Sequence, residues 1–506
     1  MQLTKQNLKY ISPASGVIIP EDKIFSLPEK VLQFGTGVLL RGLPDYFIDK
    51  ANRSGIFNGR IVVVKSTSAG GADTFSTQDG LYTLCIRGIE EGKKVEETII
   101  HSSVSRVIAA NHNWQAILEC AYNPEMQLII SNTTEVGITL TEDDIRLFPP
   151  HSFPGKMLAF LHERYKAFQG SKESGMVIIP TELITDNGKK LRSIVIELAK
   201  MNRLGDAFIQ WLTDENHFCN SLVDRIVPGK LPEKEKTEIE KKLGYTDDLM
   251  IMAESFRLWA IESGSDRVKE ILSFSRVDEG VVIAPDIEIF RELKLRLLNG
   301  THTFSCGLAF LAGFKTVKEA MNNPQFYSFV HELIFQEIAT AVAGDKISYA
   351  DAGSFAGKVL DRFRNPYIEH PWINICVQYS SKMKMRNIPL LLKYYEKTNQ
   401  PPELMALGFA AFLLFMKCGK NEKEQFIVKA NAEEYVLQDD HASYFAGKWN
   451  AEDVVEAVLN DTVFWGADLS KLKGFGELVK SNLQSLLNIG VLATLRQLQL
   501  HKTTTV

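Results

Sequence analysis

Lys294-Leu-Arg-Leu-Leu-Asn299-Gly-Thr-His302 sets an ammonium, an amide and an imidazole on one short segment. The run begins inside an apolar-periodic stretch, Ile287 through Leu298, which follows a Pro285-Asp286 start signal and reads as a helix. At about 100° per residue, Asn299 falls about 140° around the axis from Lys294 and His302 about 80°. The three then share one side, with His302 in the middle and the long Lys294 arm able to lean across. Such groups converging on one point suit a carbonyl oxygen that gains or loses a proton. Two plainer readings compete: a helix lysine is usually a solvated charge, and Asn299-Gly300 is a common helix end.

A second constellation lies near the start of the chain, in Val31-Leu-Gln-Phe34-Gly35-Thr36-Gly37-Val-Leu-Leu40-Arg41. A short apolar strand runs into Gly-x-Gly, and an amphipathic helix is expected to follow, with Leu39, Leu40, Leu43, Phe47 and Ile48 on one face. Glycines there permit a sharp turn and let a pyrophosphate approach the backbone, while a helix N-terminus offers free N–H groups. Leu40 stands where the dinucleotide fingerprint has its third glycine. Lys65 stands at the end of the next strand, Ile61–Val64, where a ribose-binding acid is usual. After another buried strand, Ser131-Asn132-Thr133-Thr134-Glu135 would place Thr133 and Thr134 toward a nicotinamide or ribose; a Thr-rich helix cap is the alternative.

These residues need a scaffold, and the chain supplies one in two parts. Through residue 284, strand-like runs (Val31–Phe34, Ile61–Val64, Leu81–Arg87, Leu128–Ser131, Met176–Pro180, Val281–Ala284) alternate with helical patterns. That rhythm predicts an α/β fold, a Rossmann-like domain over 1–284 with a mainly parallel sheet. Over 285–506 strands nearly vanish and long amphipathic helices take over, among them Tyr327–Val342, Leu390–Asn399, Leu404–Lys417 and Phe475–Ile489. An all-helical substrate and catalytic domain is expected there. Ligands of open α/β sheets sit beyond the carboxyl ends of the strands, so the site is expected in an interdomain cleft.

Composition narrows the function classes. A formal charge of −5 over 506 residues gives no basic footprint for nucleic acid. The 6 cysteines are scattered without metal-ligand spacing, so no metal site is expected. No apolar run reaches the length of a membrane span, and the N-terminus lacks the apolar core of a signal peptide, so a cytoplasmic protein is expected.

Six motifs occur in an order and spacing that resembles the polyol-specific long-chain, or mannitol-type, dehydrogenases. They are Gly35-x-Gly37-x-x-x-Arg41, Gln78-Asp79-x-Leu81-Tyr82, Thr134-Glu135-x-Gly137, Asn187-Gly188, Asp224-Arg225-Ile226 and Lys294-x4-Asn299-x2-His302. The wording of Ser76–Thr83, Ser131–Glu135 and Arg362–Ile368 is similar to members that act on sugar acids. The resemblance covers almost the whole chain. It implies a metal-independent, NAD-linked interconversion of a secondary alcohol and a ketone on a hexonate or hexuronate. Lys294 would be the general acid and base, and Asn299 and His302 would donate to the carbonyl oxygen. The proton-transfer role calls for burial and nearby positive charge to pull the Lys294 amine down from about 10.4. Phe34, Gly35, Thr36, Gly37, Arg41, Thr133 and Thr134 would hold the cofactor. One departure stands out: Leu183 occupies the place of an asparagine that helps hold the carbonyl oxygen in mannitol-type members.

A sugar acid brings a carboxylate, which usually meets Arg or Lys. Lys382 sits where relatives have a substrate-site lysine, and Arg364 and Arg386 are further anchor candidates. His370 and Trp372 either line the pocket or belong to the core. Within the family, enzymes of epimeric hexuronates and of mannitol itself are the rivals, and Leu183 argues against the latter. A methyltransferase using S-adenosylmethionine, or a dinucleotide sensor without catalysis, would leave Lys294, Asn299 and His302 without work.

Overall fold

The computed structural model describes residues 1–66, 72–133, 135–430 and 433–504. It divides into two compact units, Met1–Gly88 with Lys94–Ile287, and Ile89–Lys93 with Glu288–Val506.

The first unit is built on six parallel strands: β1 (Glu29–Phe34), β2 (Arg60–Lys65), β3 (Val104–Ala109), β4 (Leu128–Ser131), β5 (Val177–Pro180) and β6 (His217–Phe218). Their spatial order is β3-β2-β1-β4-β5-β6, the doubly wound dinucleotide-binding order. Side chains alternate across the sheet. Val31, Ile61, Val63, Leu128 and Ile130 enter one apolar cluster, while Leu32, Phe34, Val62, Val64 and Ile129 enter another on the opposite face. Both faces are covered, which is why these strands read as continuous apolar runs. Two smaller sheets complete the unit, one of them pairing Ser221–Asp224 antiparallel with Leu258–Glu262, itself parallel to Val281–Ala284.

The expected helix after Gly37 is two helices, Val38–Gly42 and Pro44–Arg53, separated at Leu43 (φ −133°, ψ −77°). Pro44 has no N–H to continue the ladder and its ring would strike the carbonyl of Leu40. Leu40, Leu43, Phe47 and Ile48 are nevertheless buried together, and Leu39 packs against the same cluster.

Among the described residues the second unit is mostly helical, with a small antiparallel sheet of three strands between Gly419 and Val436. Its centre is the helix Glu403–Phe415, apolar almost all round, packed against Thr301–Leu311 and Phe475–Thr504. Among the described residues no helix is long and apolar enough to cross a membrane.

The segment carrying Lys294, Asn299 and His302 does not end at Asn299-Gly300. Helix Glu288–Leu293 widens into a π turn over Lys294–Gly300 and resumes as Thr301–Leu311. Two other π turns, Leu333–Ile338 and Met383–Asn387, pack against this one. A π turn bonds residues five apart, so Asn299 lies one turn on from Lys294, closer to alignment than α spacing implies.

Candidate active site

In the first unit, the ends of β1 and β4 meet at the point where strand order reverses. Gly35 has φ +126°, and a Cβ there would lie 2.9 Å from the Asn132 carbonyl oxygen and 3.0 Å from Leu40 Cδ1. Only glycine fits. Gly37 has no atom within 4 Å of its Cβ position, leaving open space over the backbone where a ligand can approach. Thr36 is half-buried between the two glycines. Phe34 is fully buried and packs edge-on against Phe153 at 5.1 Å, so its part is to seat the strand end. This geometry, with the strand order, fits a dinucleotide.

Arg41 turns inward. Its Nη1 donates to the Leu249 carbonyl at 2.7 Å, its guanidinium lies over Tyr82 and Phe75, and Tyr82 Oη donates to its own carbonyl at 2.8 Å. In this structure it ties the helix that follows the glycine turn to Leu249 and Tyr82. Burial pulls its guanidinium below the ordinary range.

Thr133 is held by Glu182, which accepts from its backbone N–H at 2.9 Å and its Oγ1 at 3.0 Å, and from Ser131 Oγ at 3.1 Å. Thr134 lies outside the described residues. Glu182 has no expected role in the sequence, yet it organises the end of β4 from the end of β5. Its position two residues past the buried strand Val177–Pro180 is the signal that was available. Burial pushes its carboxyl up, against the hydrogen bonds from Thr133 and Ser131. Next to it, Leu183 is 63% exposed. Asn187 is structural: its amide donates to the carbonyls of Pro180, Glu182 and Ser221 and accepts from the N–H groups of Gly188 and Ser221. Arg225 likewise donates to the carbonyls of Glu254 and Gly42. Lys65 is buried at the end of β2.

In the second unit, His302 is 9% exposed and its Nε2 has no hydrogen-bond partner. Its ring stacks on Phe363 and meets His370 edge-on at 5.4 Å and Trp372 at 6.1 Å. Burial, then His370, Arg362, Arg386 and Lys382, hold the imidazole well below its ordinary range. It is therefore neutral at pH 7, with an unused ring nitrogen. Lys294 and Asn299 are half-buried on the π turn just before it, and Thr303 Oγ1 donates to the Asn299 carbonyl at 2.8 Å.

Of the expected anchors, Lys382 and Arg386 join this cluster. Lys382 Nζ donates to the Ile375 carbonyl at 2.8 Å, and Arg386 Nη1 to Thr303 Oγ1 at 3.4 Å. Burial, and for Lys382 also Arg386, pull both below their ordinary ranges. Arg364 does not join them. It is exposed at the end of helix Tyr349–Phe363, 5.6 Å over Tyr327. Arg362, not singled out from the sequence, is the arginine acting on His302 and His370. The helical stepping Ala352, Phe355, Ala356, Val359, Arg362, Phe363 marks it as buried-face and Arg364 as outward. Trp372 is fully buried and packs on Phe326, so it is core. Among the described residues no group of three or more His, Cys, Asp or Glu side chains is placed to hold a metal ion.

Comparison with known proteins places the chain. Residues 29–271 match the mannitol dehydrogenase Rossmann domain and residues 286–487 the mannitol dehydrogenase C-terminal domain. An altronate oxidoreductase of Bacillus subtilis (strain 168) is 39% identical over 94% of this chain and 96% of its own length. One from Klebsiella pneumoniae (strain 342) is 38% identical over 92% and 95%. Among solved structures, Pseudomonas fluorescens mannitol 2-dehydrogenase, in a ternary complex with NAD and D-mannitol, is 23% identical with TM-score 0.67, covering 99% of both chains. A substrate-free D-sorbitol dehydrogenase is 20% identical with TM-score 0.78, covering 98% of this chain and all of the other. The structural likenesses speak to the fold.

Proposed function

The chain belongs to the mannitol dehydrogenase family, and on that premise we propose that it interconverts D-altronate and D-tagaturonate with NAD(H). The name of the sequence relatives, altronate oxidoreductase, supplies the alcohol of the pair, and tagaturonate is the ketone that its oxidation gives. The observation that carries the reading is a neutral, buried His302 with an unpartnered Nε2, on the same helical run as Lys294 and Asn299 and in the positive field of Arg362, Lys382 and Arg386. A neutral imidazole can donate to a carbonyl oxygen without competing for its proton, and the surrounding cations suit a substrate with a carboxylate.

When bound, the nicotinamide dinucleotide supplies the two-electron chemistry at the substrate carbon. Gly35 and Gly37 would let it approach the end of β1, Thr36 and Thr133 would hold it, and Arg41 and Glu182 would position those segments. Lys294 gives a proton to the oxygen in ketone reduction and takes it back in alcohol oxidation. Asn299 and His302 donate to that oxygen as charge develops on it, and Lys382 and Arg386 hold the carboxylate. The reaction so drawn calls on no metal ion.

The test is NADH oxidation followed by absorbance with D-tagaturonate and D-fructuronate side by side, each repeated with NADPH. Turnover favouring tagaturonate with NADH is expected. A preference for fructuronate reassigns the substrate and leaves the chemistry of the site, and a preference for NADPH overturns the cofactor assignment.

A further inference from the structure

Two π turns carry or flank four of the groups that the proposed reaction needs. Lys294 and Asn299 lie on Lys294–Gly300, while Lys382 and Arg386 flank or lie on Met383–Asn387, and the two turns pack together. A widened turn strains the helical ladder, and here the chain weakens it further. Pro389, four residues after Met385, has no N–H to offer the Met385 carbonyl. Carbonyls that lose their ladder partners need other donors.

Arg296 supplies them. Its Nη1 donates to the carbonyls of Met385 at 3.1 Å and Arg386 at 2.7 Å. Its other nitrogens reach Glu292, one turn earlier, at 3.2 and 3.4 Å, and Lys393 binds the same carboxylate at 3.3 Å. Burial works against the Glu292 charge, but Arg296 and Lys393 outweigh it and hold the carboxyl below its ordinary range. From the opposite turn Asn387, fully buried, donates through Nδ2 to the Gly300 carbonyl at 3.2 Å. Each turn thus sends one side chain into the backbone of the other. A third strand of the same lacing runs from Arg386 Nη1 to Thr303 Oγ1 and from Thr303 Oγ1 to the Asn299 carbonyl.

We propose that Arg296 and Asn387 are positioning residues, a reciprocal clamp that fixes the spacing between the Lys294 turn and the Lys382/Arg386 turn. That spacing rests on the functional reading above for its meaning: it sets how far the oxygen taking the proton lies from the carboxylate. A sugar acid of one length is then matched and others are not. Neither residue touches substrate in this scheme, and Arg296 acts through two backbone carbonyls rather than through its charge alone.

The experiment compares full-length wild type with Arg296→Met, Arg296→Lys and Asn387→Ala, by amide hydrogen exchange and by steady-state kinetics. Arg296→Met is expected to speed exchange in 294–302 and 383–390 and to leave the Rossmann unit and NADH affinity unchanged. Its kcat/KM for the hexuronate falls about 10²-fold, the scale of an ångström-size misplacement. Arg296→Lys, which can still reach a carbonyl, recovers part of the rate. Asn387→Ala loosens 294–302 from the other side and carries the comparison if Arg296→Met does not fold. Unchanged exchange in both segments overturns the clamp, as does Lys performing no better than Met, or loss of rate together with NADH affinity. Should wild type turn over no hexuronate, the functional reading falls, while the exchange comparison still decides the clamp.

Discussion

Phe363 lies flat on His302, with ring centroids 4.2 Å apart and planes within 1° of parallel. One face of the imidazole is sealed by an apolar ring while Nε2 is left without a partner. An orphaned buried nitrogen in a folded core costs about 1–3 kcal/mol. His302 follows Lys294 and Asn299 on one continuous helical run, and in the proposed reaction its free nitrogen donates to the substrate oxygen.

His302 is therefore expected to stay neutral across the working pH range. Its imidazole C–H resonances should not shift between pH 8 and 6, and His302→Asn should lower kcat about 10²–10³-fold with NADH affinity retained. Because the folded pKa is depressed, the unfolded chain takes up a proton below about 6.5 that the folded chain refuses. Stability then declines as pH falls through that region, and the decline is shallower in His302→Asn. An equal slope in both proteins, by urea unfolding, counts against this.

Asp45 shows the opposite sign. It is fully buried, bonded by Gln33 Nε2 at 3.4 Å, and burial pushes its carboxyl up to about 8. A raised carboxyl contributes stability that is fully present below about pH 4 and lost as pH rises toward 8, with a limiting slope of about 1.4 kcal/mol per unit. Asp45→Asn keeps the neutral form. Its stability relative to wild type should rise steadily from pH 5 to pH 8, and a pH-independent difference would show that Asp45 is ionised throughout.

Arg364→Ala is expected to leave kcat/KM within about twofold, in line with a surface change. Arg386→Ala should raise KM for the sugar acid by a ten- to hundredfold factor, as loss of a charged hydrogen bond worth about 1.5–3 kcal/mol implies. Kinetics on the two variants separate the outward arginine from the inward one.

Gly35→Ala puts a Cβ against the Asn132 carbonyl at a φ of +126°. It should cost about 1–3 kcal/mol of stability and weaken NADH binding at least about tenfold. Gly37→Ala, with φ −62° and open space at its Cβ, should leave stability near wild type. Fluorescence titration with NADH and thermal unfolding of both variants check the contrast.

Much of the fold was legible in the sequence, and the failures have physical causes. Strands such as Ile61–Val64 and Leu128–Ser131 announce themselves because both faces are buried. His217–Phe218 is too short to show a period, and Val104–Ala109 mixes Ser105 and Arg106 into its run. The helix break at Leu43 was written in Pro44, but the shared apolar face masked it. The π turns were not legible, because residues on a π turn keep an apolar spacing that also suits an α-helix. What holds them, Arg296 on the carbonyls of Met385 and Arg386, joins residues about ninety positions apart. Arg362 and Arg364 differ by two positions, and only the phase of their helix tells them apart.

The most direct test is the initial rate of D-tagaturonate-dependent NADH oxidation by wild type and Lys294→Ala, with NADH binding measured on the same preparations. Wild type should turn over. Lys294→Ala should bind NADH with near-normal affinity and lose about 10²–10⁴-fold in rate, the range for a general acid. A Lys294→Ala protein that keeps its rate would contradict the account, and one that loses NADH binding would make Lys294 a structural residue instead.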